Sequence, residues 1–137
     1  MRRLGPLVLM TLLLLPSPAP AAPNDPIRVE LNLAESIQNR CRLSFVIENK
    51  GDTPIQSLQL DLAFFNRDGI IQSRSVAEMG PVTRAKTIVK SFEFEGECGQ
   101  FGSILINDVA VCTPGDPGPC LDRLALSSRV KTMTLFK

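Results

Sequence analysis

"IQSLQLDLAFFNRDGII", residues 55–71, places Leu58, Leu60, Leu62 and Phe64 at every second position and then supplies Asn66-Arg67-Asp68-Gly69. A period of two means a strand with one face buried, and Asp-Gly between two such runs is a hairpin signal. The stretch reads as a strand, a tight turn and a weaker returning strand, "IIQSRSVAEM" (70–79), stopped by Gly80-Pro81.

The same period recurs on both sides. Upstream, Ile27, Val29, Leu31 and Leu33 share one face, and Arg28, Glu30 and Asn32 the other. "AESIQN" (34–39) is a turn; Cys41, Leu43, Phe45 and Ile47 then alternate with Arg42, Ser44, Val46 and Glu48, up to the turn "NKGDTP" (49–54). Downstream, "KTIVKSFEFE" (86–95) groups Ile88, Phe92 and Phe94 on a face that also carries Lys90, which marks a strand near a sheet edge. "FGSILINDVAV" (101–111) is apolar on both faces, as a central strand is. "LDRLALSS" (121–128) offers one helical turn, and "SRVKTMTLF" (128–136) closes as a strand. About seven short strands separated by regular turns predict an all-β chain folded as an antiparallel sandwich, with a small barrel second.

Ahead of these strands, Met1-Arg2-Arg3, the apolar run "LGPLVLMTLLLL" (4–15) and Ala19-Pro20-Ala21 have the layout of a secretory signal cleaved near Ala21. The run stops at Pro16, short of the roughly twenty apolar residues a membrane span needs. Gly5-Pro6 after the paired arginines argues for the ordinary export route over the twin-arginine one. No cysteine near the cleavage site could carry a lipid. The expected organisation is a signal peptide at 1–21, a Pro-rich leader at 22–26 and one domain at 27–137, large enough to bury about two-thirds of its unfolded surface. The expected location is periplasmic or secreted, with no membrane insertion after cleavage.

The full chain carries a formal charge of +1, with no His, Trp or Tyr. Losing Arg2 and Arg3 removes even that small basic excess, so nothing attracts nucleic acid. Without His, imidazole-based triads and metal sites are excluded. The expectation is a protein that is not an enzyme, with no catalytic residue, no cofactor and no metal.

Four cysteines in an exported chain of this size read as two disulfides, for which three pairings exist. In "CTPGDPGPC" (112–120), Cys112 and Cys120 flank a segment rich in proline and glycine that must double back. These two are paired here, leaving Cys41 with Cys98 as a bridge between neighbouring strands across the sandwich. On chain entropy the bridges contribute about 2.6 and about 4.2 kcal/mol. The intervening Thr113, Pro114, Gly115, Asp116, Pro117, Gly118 and Pro119 form a stiff turn. Their simplest reading is a rigid connector across the sandwich end; they are also the candidate interaction loop, because little disorder is lost when a preorganised tip binds.

Four patterns resemble chemistry and have simpler readings. Ser128-Arg129-Val130-Lys131 matches S-x-x-K, yet the segment alternates like a strand and would aim Ser128 and Lys131 at opposite faces. "EFEGE" (93–97) lacks the spacing of a calcium loop and reads as a solvated face. "TRAK" (83–86) with Lys90 is a strand-edge charge cluster. Met79 and Met133 are isolated thioethers, too few to carry copper.

Residues 43–71 resemble the front half of immunoglobulin-like extracytoplasmic domains of the FxLYD type, through "NKGDTPI", "LAFF" and "RDG". The resemblance implies an immunoglobulin-like sandwich and no particular activity. "CRLSFV", "GQFGSILIND", the Cys112/Cys120 pair and "LSSR" are similar to a group of small exported alphaproteobacterial proteins known by their signal sequence. That similarity implies the envelope location and the four-cysteine layout. The expected function is a protein-binding or assembly module contacting another envelope protein through a sheet edge or the 112–120 loop. The alternatives are binding of a small molecule or envelope polymer on a sandwich face, and carboxylate-only hydrolysis, for which no pair can be named.

Overall fold

The computed structural model describes residues 25–137. The expected signal peptide at 1–21 and residues 22–24 of the expected leader lie outside the described residues. The chain forms β1 (Ile27–Ile37), β2 (Arg40–Asn49), β3 (Ser57–Asn66), β4 (Ile71–Glu78), β5 (Thr87–Glu95), β6 (Phe101–Thr113), α1 (Pro117–Arg123), β7 (Leu124–Ser128) and β8 (Thr134–Phe136). Two four-stranded sheets, ordered β5-β2-β1-β7 and β4-β3-β6-β8, pack into a sandwich.

β3 carries the expected stripe. Leu58, Leu60, Leu62 and Phe64 are all fully buried. Phe64 bridges the layers, its ring centroid 4.6 Å from Phe94 of β5 and 5.3 Å from Phe101 of β6. At the hairpin, the Asn66 side chain accepts from the Asp68 and Ile70 N–H groups, both at 2.9 Å. Gly69 there has φ 79°, a conformation that favours glycine.

The sheets are mixed rather than antiparallel, and the described residues form eight strands rather than about seven. β7 runs parallel to β1, with Ile27 beside Leu124, and β8 runs parallel to β6, with Ser103 beside Thr134. The cause is where β6 ends. Thr113 lies at the same end of the sandwich as the start of β1, so α1 rounds that end and delivers β7 alongside β1 in the same direction. The chain then crosses back and lays β8 on the open edge of β6. Helix and strand therefore fall differently from the sequence expectation. The helix starts inside the disulfide loop and ends at Arg123, so 124–128 is β7, and beyond Ser128 only Thr134–Phe136 is a strand.

Bulges account for the other departures. The first strand continues through Ala34 to Ile37, leaving Gln38-Asn39 as the turn, with Gln38 at φ 55°. Asn32 has no opposite number on β2, and its side chain donates to Glu30 at 2.8 Å. This extra residue flips the phase. Leu33 lies 46% exposed on the outer face beside Ser44, instead of joining Ile27, Val29 and Leu31 in the core. On β6, Asn107 and Ala110 are likewise skipped in the pairing with β3. The inward row is thus Ile104, Ile106, Val109 and Cys112. The strand is central, but its doubly apolar look comes from shifted phase, not from burial on both faces.

The β2–β3 connection changes sheets and is held by Asn49, the buried polar side chain among the described residues. Its amide donates to the carbonyls of Thr53 at 2.9 Å and Val82 at 3.3 Å, and its carbonyl accepts from Gly51 N–H at 3.0 Å. Three backbone groups, two of them in buried bonds, are satisfied by one side chain.

With no Trp or Tyr, circular dichroism in urea is the suitable stability measurement. Asn49→Ala is expected to cost about 1–3 kcal/mol. Leu31→Ala should cost about 2–5 kcal/mol, while Leu33→Ala stays below about 1 kcal/mol. Equal losses at Leu31 and Leu33 would place both on the core face and remove the bulge.

Candidate interaction surface: the 112–120 loop and the sheet edges

The loop is built between two buried sulfurs. Cys112 at the end of β6 is bonded to Cys120 in α1, their Cα atoms 6.5 Å apart. All of residues 113–119 are exposed. Gln56 N–H donates to the Thr113 carbonyl at 2.7 Å, which fastens the outgoing limb to β3. Gly115 turns the chain at φ 124°. Pro117 then opens α1, where a missing N–H costs nothing. The candidate loop is therefore a short bend, Pro114–Asp116, leading from the end of β6 into a helical limb that includes Pro117, Gly118 and Pro119.

The end of α1 is held by basic side chains. Lys137 Nζ donates to the carbonyls of Leu121 at 2.7 Å and Asp122 at 3.3 Å, and Arg123 donates to the Asp25 carbonyl at 3.0 Å. Cations at a helix C-terminus complement its unsatisfied carbonyls. The loop thus projects from a support fastened by one covalent bond and several charge-assisted ones.

The second disulfide joins Cys41 of β2 to Cys98, with Cα atoms 4.7 Å apart. It does not span the two sheets as expected. Cys41 is already paired in register with Phe94 of β5, so the bridge ties β2 to the 3-10 turn Cys98–Gln100, where the chain leaves β5 for β6.

Each outer face is organised by cross-strand ion pairs. On the first sheet Glu93 receives Arg42 at 2.8 Å and Arg40 at 3.4 Å, so two members of "EFEGE", Glu93 and Glu95, stand on a solvated face and the former is committed to arginine. The bond from Arg42 is the main reason the Glu93 carboxyl is held below its ordinary value. A groove of about 360 Å³ lies over β7, β1 and β2, lined by Arg28, Glu30, Val46, Glu48 and Arg129. Arg129 donates to Glu30 at 3.0 Å. On the second sheet Asp61 receives Asn107 at 2.9 Å and pairs with Arg74, and these bonds, Asn107's first, hold its carboxyl down.

Glu78, at the end of β4, was missed by sequence reasoning. Burial pushes its carboxyl up, but hydrogen bonds from Ser57 Oγ (2.6 Å), Leu58 N–H (2.8 Å) and Gly80 N–H (2.9 Å) outweigh that and leave it lowered. The decoy motifs resolve structurally. Ser128 Oγ donates to the carbonyls of Val130 and Met133, closing the β7–β8 turn, and Met79 and Met133 are core residues. Among the described residues no group of metal-binding side chains converges and no helix is long and apolar enough to cross a membrane.

Neither a family model nor a curated protein matches the chain. Among solved structures it is similar to IrmA from Escherichia coli, at 16% identity and a TM-score of 0.56, over 75% of this chain and 92% of that one. At that identity the likeness is one of fold. Two disulfides on such a sandwich fit folding in an oxidising compartment outside the cytoplasm.

Replacing Cys112 and Cys120 together with serine should lower stability by about 2–3 kcal/mol, read as a lower urea midpoint, with faster amide exchange across 113–123. The carboxyls of Asp61, Glu78 and Glu93 have folded-state values below their ordinary 3.8 and 4.5. Their stabilisation is complete above those values and is lost as pH falls through the lowered ones. The midpoint should therefore fall as pH is taken down through and below the ordinary carboxylate range, and Glu78→Gln should flatten part of that drop. An acid-insensitive wild-type midpoint would contradict the assignment.

Proposed function

We propose that this chain is an exported, non-catalytic protein-binding or assembly module of the bacterial envelope, periplasmic after removal of residues 1–21. The observation that carries this reading is the loop: seven consecutive exposed residues, 113–119, held between two buried half-cystines on a braced helix. A tip that is already ordered loses little entropy on binding a partner protein. Support comes from the two disulfides, from the resemblance of "NKGDTPI", "LAFF" and "RDG" to FxLYD-type immunoglobulin-like domains, and from similarity to a group of exported alphaproteobacterial proteins. Asn49 in the first of those motifs and Asn66 between the other two serve the fold, which agrees with a resemblance that implies architecture and not chemistry.

A second reading rests on the groove over β7, β1 and β2. Its paired charges around Val46 suit a zwitterionic small molecule or an envelope polymer.

A photoreactive residue in place of Asp116, crosslinked in the intact envelope, tests the first reading. The expected result is one captured protein, absent when the probe replaces Lys131 on the β7–β8 turn. Equal capture at both positions, or none at either, would overturn loop recognition. A rise in thermal midpoint with peptidoglycan fragments, abolished by Arg129→Ala, would then favour the groove.

A further inference from the structure

The sandwich is not equally closed on its two sides. β7 and β8 contact one another along one side, whereas β4 and β5, the edge strands of the opposite side, leave a seam. In register, Phe64 faces Ser73, Leu62 faces Ser75 and Leu60 faces Ala77, so both serines belong to the inner face. Yet Ser73 is exposed and Ser75 only half-buried, while Ala77 is buried. From the other sheet the inner positions of β5 are Ile88, Lys90, Phe92 and Phe94. Ser73, Arg74 and Ser75 of β4 and Glu93, Phe94 and Glu95 of β5, with Arg40 of β2, line a groove of about 250 Å³ between the two edges. Phe92 is left half-buried beside Phe94, their centroids 6.4 Å apart.

The four edges also differ in their protection. β8 spans three residues and β7 five, too short to template a long strand. β5 turns Lys90 to the inner face, a common device against edge pairing. β4 spans eight residues, contains no Lys or Pro, and leaves Ile71 and Val76 59% and 57% exposed. Its charges are committed, Arg74 to Asp61 and Glu78 to Ser57, Leu58 and Gly80. Met79 N–H donates to the Leu58 carbonyl. Because bonding direction alternates along a strand, Ser73, Ser75 and Ala77 bond toward β3, while Arg74 and Val76 present N–H and C=O to the free edge.

We propose that this seam is a strand-addition site, and that its occupant is an extended segment of a partner protein with apolar side chains at alternate positions and one inward-facing Asp or Glu. Backbone pairing with Arg74 and Val76 supplies affinity, and the alternate side chains supply selectivity. The apolar ones cover the half-buried Phe92 and the small Ser73 and Ser75. The acid answers Lys90, which among the described residues pairs with no carboxylate and lies one alternate position from Phe92. The cation that guards β5 against indiscriminate pairing thus selects an acidic strand at the neighbouring edge. This inference rests on the protein-binding reading above and names a second contact surface and its ligand class.

The test is a titration of the isotope-labelled full domain with a synthetic peptide of alternating Thr and Val, one inward Val replaced by Asp, followed by amide NMR. Expected are shifts and slowed exchange confined to 71–78 and to Lys90–Phe94, with affinity at least about tenfold weaker for the peptide carrying Lys in place of Asp. Val76→Pro removes a free-edge N–H and no bond to β3, so it should leave the fold intact and abolish binding, whereas Val76→Thr should bind. Lys90→Ala should erase the preference between the Asp and Lys peptides. No binding at millimolar peptide, shifts elsewhere, or full binding by the proline variant would overturn the proposal. Unchanged capture at Asp116 by a Val76→Pro protein alongside such a failure would leave the loop reading standing.

Discussion

The rest of the molecule is arranged around the unbroken inward row of β3. Leu58, Leu60, Leu62 and Phe64 must all face inward at once, and Phe64 must reach Phe94 in the opposite sheet and Phe101 beside it. The neighbouring strands adjust to that row. β6 carries Asn107 and Ala110 as unpaired residues so that Ile106, Val109 and Cys112 meet the same interior plane, and β4 skips Gln72 near the hairpin. Such adjustment follows from close packing, because an interior at crystal-like density leaves no room for a strand out of phase. The bulges are therefore consequences of the core, and they decide what appears outside it. Leu33 reaches the outer face of the first sheet because of one extra residue in β1.

This explains what could be read in the sequence and what could not. β2, β3 and the β3–β4 hairpin were legible because their alternation is uninterrupted and the Asn66–Gly69 turn carries its own hydrogen bonds. The edge position of β5 was legible from Lys90. Bulges were not, since a residue without an opposite number has no signature until its partner strand is known. The parallel placement of β7 and β8 was also hidden, because it depends on which end of the sandwich β6 reaches. The helix within "CTPGDPGPC" was masked by Gly118 and two prolines, which propensity alone reads as turn. Of the surface features, the loop was marked by its cysteines. The seam was not, because Ser73 and Ser75 look like ordinary polar positions until register sets them opposite Phe64 and Leu62.

Loop and seam differ in how they are held. The 113–119 tip is rigid from within, by a covalent staple and by Lys137 and Arg123 at the foot of α1. The seam is defined by what surrounds it: two edge strands in different sheets, joined by the 80–86 connection that Asn49 holds through Val82. Asn49 thereby links the β2–β3 crossing to the β4–β5 crossing, fixing the spacing of the strands that border the seam.

The order in which the chain becomes available matters for so small a fold. Asp25 and Arg123, which bond to each other, are 98 residues apart, and β1 has no neighbour on its outer edge until β7 exists. β6 waits in the same way for β8. A chain emerging N-terminus first, from a ribosome or a translocation pore, would present six strands with two unfinished edges, each completed only by the last elements to appear. Non-local pairing of this kind is slow, and unfinished edges invite association with other chains. The interval before residues 124–136 arrive is when this protein most needs a chaperone or a crowding-free space.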